Sequence, residues 1–171
     1  KVLAPCRMDD IDELRAHHER LLTQLADACR RTRHEFLLEI ITARPDKLAA
    51  PDQIHALMER FYELRIFPDW WKLEPILDSG FWKRCGDIVR ANDAQMQGII
   101  VLGKEAEPEV LARVFGNARV EPLVKGFAVG RTIFAGAAQD WLNGRIDDDM
   151  AVTTMTDLFA GLIDAWDKAG E

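Results

Sequence analysis

Five short apolar runs, each followed by a longer amphipathic stretch, constrain this chain more than any other feature. They are Val2-Leu3-Ala4, Phe36 to Ile41, Pro68 to Pro75, Gly98 to Gly103 and Val124 to Arg131. The fourth, Gly98-Ile99-Ile100-Val101-Leu102-Gly103, is continuous and bounded by glycines, which marks a strand buried on both faces. Between the runs the apolar residues fall at helical spacing. Ile11, Leu14, His18, Leu21, Leu22, Leu25, Ala28 and Cys29 form one such set, with Asp9-Asp10 placed to cap it. A polar loop from Thr42 to Ala50 leads to a helix opening at Pro51, where proline suits the first turn, with Ile54, Leu57, Met58, Phe61 and Leu64 inward. Phe81, Trp82, Cys85, Ile88 and Val89 mark the next helix, and Val110, Leu111, Val114, Phe115 and Ala118 the one around Pro108. Two helices follow, near 132–142 and 148–168, the second expected to bury Met155, Leu158, Phe159, Leu162, Ile163 and Trp166.

Strands alternating with helices imply crossover connections and a parallel sheet. That leaves an open doubly wound sheet or a (β/α)₈ barrel. No Gly-x-Gly-x-x-Gly turn or phosphate-binding P-loop occurs, which lowers the nucleotide-binding reading. Charged residues and glycines instead recur at strand C-terminal ends: Glu39, Lys72, Glu74, Gly103, Lys104, Gly130 and Arg131. In a barrel those ends form the active face, and the barrel is favoured on that ground.

Composition narrows the function classes. The 171 residues are 48% hydrophobic, enough for one cored domain spanning 1–171. Lys and Arg number 22 against 29 Asp and Glu, a net charge of −7, and no basic stripe occurs; nucleic acid and anionic membranes are not expected partners. Cys6, Cys29 and Cys85 make neither a metal signature nor a disulfide framework and read as reduced packing residues of a cytoplasmic protein. No run reaches membrane-spanning length, and no signal peptide is recognised.

Two charges stand out against their surroundings. Lys72 lies inside Pro68-Asp69-Trp70-Trp71-Lys72-Leu73-Glu74-Pro75, and Glu39 inside Phe36-Leu37-Leu38-Glu39-Ile40-Ile41. A buried ammonium costs several kcal/mol unless it is paired or titrates to neutral, and a neutral, oriented amine attacks carbonyls. One misplaced charge on each of two neighbouring strands points to an active site at least as strongly as to a structural ion pair. Trp70 and Trp71 must face opposite sides of the sheet, one of them able to wall a pocket and core packing being the blander role.

These two segments, with Ile100 to Gly103, the stretch Lys125-Gly126-Phe127-Ala128-Val129-Gly130-Arg131-Thr132-Ile133-Phe134 and Trp141-Leu142, resemble the aldolase-like C-terminal domain fused to bacterial 5-dehydro-2-deoxygluconokinase in inositol catabolism. That domain is in turn similar to the class I tagatose-bisphosphate aldolases. The resemblance implies a TIM-barrel lyase without metal or other cofactor. Lys72 would be the Schiff-base lysine, Glu39 the proton-shuttling glutamate and Lys1 a second lysine. The substrate class is a phosphorylated keto sugar, with 6-phospho-5-dehydro-2-deoxy-D-gluconate cleaved to dihydroxyacetone phosphate and malonate semialdehyde. Gly103, Gly130 and Arg131 would grip the phosphate, as loops after the seventh and eighth barrel strands do.

The same resemblance places the first strand here at barrel position four, so the expected fold is α/β, a partial barrel covering about strands four to eight. About 250 residues are typical of the whole fold. Five strands leave two open edges, so either a piece of a longer polypeptide or a homo-oligomer is expected, with such a piece inactive alone. Blander roles stand beside each assignment. Lys72 could simply pair with Glu39 or Glu74; Glu74 could hold Lys72 or line the pocket; Arg131 could be a surface residue after a turn; Lys104 reads as a solvated loop lysine. His17, His18, His34 and His55 sit on helices or helix ends, not strand ends, which disfavours a metal site. A competing function is a non-catalytic sugar-phosphate-binding module of the kinase, and a third is a scaffold for oligomerisation.

Overall fold

The computed structural model describes residues 1–43 and 49–170, so the middle of the expected 42–50 loop lies outside the described residues. The chain runs β1 (Val2–Pro5), α1 (Asp12–Thr32), β2 (Leu37–Ile41), α2 (Pro51–Glu63), β3 (Trp70–Leu73), α3 (Ser79–Asn92), β4 (Gly98–Leu102), α4 (Pro108–Ala118), β5 (Val124–Ala128), α5 (Arg131–Leu142) and α6 (Asp148–Lys168). All strands pair in parallel and the sheet order is β1-β2-β3-β4-β5. A doubly wound sheet reverses its strand order at a switch point. Here the order never reverses, so the architecture is a partial (β/α) barrel.

Strand alternation divides the sheet into two chemically different faces. Leu38, Ile40, Trp71, Leu73, Ile99 and Val101 are fully buried with Ile54, Leu57, Met58, Phe61, Phe81, Trp82, Val114 and Phe115 of the helices. Trp71 lies edge-on to Tyr62, and its indole N–H donates to the Tyr62 hydroxyl at 2.9 Å. Trp71 is therefore core, and its buried polar atom is satisfied, as burial requires. The other face carries Leu3, Leu37, Glu39, Trp70 and Lys72 and is only partly covered.

Two helices depart from their expected burial. Ile11, Leu14, Leu21 and Leu25 fall at helical spacing with Leu22, yet all four are exposed, and within α1 only Leu22 and Ala26 are buried. In α6 only Ala151 and Leu162 are buried, while Phe159 and Ile163 are exposed. Periodicity identifies which residues share a face. It does not reveal whether anything lies opposite: α1 follows the edge strand β1, and α6 comes after the last strand and packs on α4 and α5. Nor does Asp9-Asp10 cap α1: the N-cap is Ile11, without a side-chain cap, and the Asp10 carboxylate accepts the Arg7 backbone N–H at 2.8 Å.

Candidate active site

The register delivers the two misplaced charges to each other. Glu39 is the ladder partner of Lys72 on one side and of Leu3 on the other. Lys72 Nζ lies 3.3 Å from Glu39 Oε2, and Lys1 Nζ approaches the same oxygen at 2.6 Å. The Glu39 side chain is 5% exposed and Lys72 11%, whereas Lys1 is half in solvent at 51%. One carboxylate oxygen thus sits between two amines, one sheltered and one wet. All three groups stand on the face that the helices leave open. The arrangement can hold an amine at a carbonyl carbon and move protons beside it.

Glu74 takes a different part from the one expected. It is fully buried, and its ion pair is with Lys104 while Lys72 pairs with Glu39. Its Oε2 accepts the backbone N–H of Thr42 at 2.8 Å and the Thr42 hydroxyl at 2.5 Å. Oε1 accepts Lys104 Nζ at 2.6 Å and the Ala43 N–H at 3.3 Å. Four donors offset the desolvation of this carboxylate, which an isolated buried charge could not sustain. Lys104 is correspondingly no free loop lysine. It and Glu105 have φ of 52° and 59°, left-handed values that cost non-glycine residues about 1–2 kcal/mol each.

The tie continues past Glu74 on both sides. The Arg7 guanidinium, buried just beyond β1, donates to the Thr42 carbonyl at 2.9 Å. Arg131 pairs with Glu105, and the Thr132 hydroxyl donates to the Ala106 carbonyl at 3.1 Å. A polar belt therefore runs along the C-terminal ends of the sheet. Thr42 and Arg7 had no sequence signal of their own, since neither interrupts an apolar run.

The three expected phosphate residues gather at one end of this rim. Gly103 follows β4 with its Cα against Val129; a Cβ there would come within 2.6 Å of Val129 Cγ1. Gly130 is the N-cap of α5 and Arg131 its first residue, so the strand expected to reach Arg131 ends at Ala128. Arg131 is 64% exposed and carries Glu105 as its partner. A cleft of about 600 Å³ lies instead at the N-terminal ends of β2 and β3, lined by Arg33, Phe36, Phe67, Asp69 and Met96. Barrel chemistry belongs at the opposite ends, so the ion-paired cluster outweighs the cleft. Among the described residues no group of three or more His, Cys, Asp or Glu is placed to hold a metal ion. No described helix is long and apolar enough to cross a membrane.

Comparison with known families supplies the context for this geometry. A family model described as "Uncharacterized protein conserved in bacteria (DUF2090)" matches residues 1–170. The chain belongs to the DUF2090 family. No curated protein matches it. Solved structures do. This DUF2090 chain is similar to fructose-bisphosphate aldolase from Plasmodium falciparum, solved with TRAP and a small-molecule inhibitor, at 12% identity and a TM-score of 0.58 over 87% of this chain and 48% of that one. It is also similar to fructose-bisphosphate aldolase from Slackia heliotrinireducens DSM 20476, at 17% identity and a TM-score of 0.50, covering 83% of this chain and 49% of the other. Identities this low establish the fold, an aldolase-like α/β barrel, of which the DUF2090 chain spans about half the length.

Proposed function

We propose that this protein supplies the catalytic strands of a class I, Schiff-base aldolase acting on a phosphorylated keto sugar acid. One observation carries the reading: the sheltered Lys72 amine lies 3.3 Å from Glu39 on a ladder pair that faces away from the helices. An ion pair of purely structural use could stand anywhere in the fold. This one stands at the third residue of β2 and of β3, on the open face and just below the strand ends where barrel enzymes keep their chemistry.

In this reading Lys72 Nζ passes a proton to Glu39 and, as the free amine, attacks the keto carbon. Glu39 passes a proton to the resulting hydroxyl, which leaves as water to give the iminium. Glu39 or Lys1 then takes the proton from the hydroxyl on the carbon β to the former ketone. The Cα–Cβ bond breaks, its electron pair enters the iminium as an enamine, and the aldehyde fragment departs. Protonation of the enamine carbon and hydrolysis return the amine. Gly103, Gly130 and Arg131 hold the phosphate. With 6-phospho-5-dehydro-2-deoxy-D-gluconate as substrate, the products are malonate semialdehyde and dihydroxyacetone phosphate. The reading carries with it a cytoplasmic setting, further βα units or copies along the open edges, and a sugar kinase as fused or associated partner.

Full-length protein incubated with dihydroxyacetone phosphate and borohydride tests it. A reduced adduct on the Lys72 peptide, lost in Lys72→Arg, is the expected result; a guanidinium keeps the charge but forms no imine at neutral pH. An adduct only on Lys104 or Lys125 refutes the nucleophile. Saturable binding of the sugar phosphate with no adduct or turnover refutes catalysis and favours the non-catalytic module.

A further inference from the structure

The paired backbone ladder between β2 and β3 runs from Leu37↔Trp70 to Glu39↔Lys72, so the reacting pair is its last rung. Past this rung β2 stays paired to β1 as far as Ile41 and β3 to β4 at Leu73, but β2 and β3 no longer pair with each other. Beyond it the two strands are joined by a side chain: the Glu74 carboxylate accepts both the N–H and the hydroxyl of Thr42. The same carboxylate reaches across to Lys104, just past β4, at 2.6 Å. Arg7 fixes Thr42 from the β1 side through its carbonyl. The chain adopts two consecutive left-handed residues, Lys104 and Glu105, where Lys104 reaches back over β3. Strain of this kind persists only where the surroundings hold it, and it clusters at functional sites.

We propose that Glu74 and Lys104 are positioning residues: they tie the ends of β2, β3 and β4 together beyond the last β2–β3 rung and thereby hold Glu39 against Lys72. Neither touches the reacting atoms. Their sequence placement follows the same logic, for Glu74 comes two residues after Lys72, just past the end of β3, so that a shift of one carries the other. A displacement of about 1 Å in such a pair can cost roughly 10²-fold in rate. The role rests on the aldolase reading, but the geometry beneath it can be read without turnover.

The experiment uses full-length wild-type protein, Lys104→Met, Glu74→Gln and Lys104→Arg. Methionine keeps the apolar stem of Lys104 and removes the cation; arginine restores it. Carbodiimide joins a carboxylate to an amine only in direct contact, so the Glu39–Lys72 cross-link measures the proposed positioning directly. Its yield should fall severalfold in Lys104→Met and Glu74→Gln and recover in Lys104→Arg. The rate of borohydride-trapped adduct at saturating dihydroxyacetone phosphate should fall tenfold or more, with the half-saturating concentration changed less than twofold. Unaltered cross-linking and rate in variants that still unfold cooperatively would overturn the proposal. A raised half-saturating concentration at unaltered maximal rate would overturn it too, by making Lys104 a substrate ligand. No adduct in the wild type, with the cross-link responding as stated, would remove the aldolase reading and leave the tie between strands standing.

Discussion

Glu39→Gln isolates the charge of the site from its shape. Glutamine is nearly isosteric, and the side chain it replaces is 5% exposed on a strand whose helix-facing neighbours Leu38 and Ile40 are untouched, so packing should survive. What disappears is the anion between two ammonium groups at 2.6 and 3.3 Å. At an effective dielectric constant of 20, a 3.3 Å pair is worth about 5 kcal/mol of gross Coulomb attraction. Partial solvent access through Lys1 trims that. Removing one partner of a fully buried pair costs about 3–5 kcal/mol, and this half-open site should lose about 1–3 kcal/mol of stability. Catalysis should suffer more specifically. A general acid/base group contributes at least about 10²-fold, equivalent to about 2.7 kcal/mol of barrier. Turnover of full-length protein should therefore drop by that factor or more at saturating substrate, while equilibrium binding of dihydroxyacetone phosphate changes less than threefold. Urea melts of wild type and variant would separate the two effects. A variant with wild-type turnover and stability lowered by 3 kcal/mol or more would refute the proton-transfer role and return Glu39 to a structural ion pair.

Arg131→Ala should weaken phosphorylated ligands by about 1.5–3 kcal/mol, the scale of a hydrogen bond to a charged group, in a binding titration where unphosphorylated analogues lose nothing; equal losses for both would instead indicate a folding defect. Gly86→Ala should destabilise the fold by about 2–4 kcal/mol in chemical denaturation, because a Cβ there would overlap the buried Glu121 carboxylate, which Arg90 grips at 2.8 and 3.0 Å and which has no room to withdraw; a Tm unchanged within error would contradict the packing. His55, stacked on Phe81, is held below the usual histidine range chiefly by burial, against the opposing effect of its bond to the Phe81 carbonyl. The unfolded chain therefore binds this proton more readily, so stability should decline as pH falls below about 6.5. The decline should be shallower in His55→Gln when unfolding free energy is followed from pH 7.5 to 5.5.

Local chemistry determined much of this protein before any tertiary contact existed. The run from Gly98 to Gly103 could only be a doubly buried strand, the prolines at 51 and 108 open helices where they were expected, and Glu39 and Lys72 declared themselves by interrupting apolar strands. Such signals survive in a sequence because they depend on spacing along one element. Three matters depended on the fold itself. The strand order, which separates a partial barrel from a doubly wound sheet, is set by how crossovers stack and not by any residue in them. The exposure of Leu14 and Leu21 on α1 and of Phe159 and Ile163 on α6 depends on what lies opposite a stripe, which periodicity cannot see. The partners of Glu74 come from residues 30 and 32 positions away, on two different loops. Lys72 was near in sequence and chemically suitable, but a carboxylate at the end of a strand turns toward whichever donors the neighbouring strand ends present, and here those belong to Thr42 and Lys104.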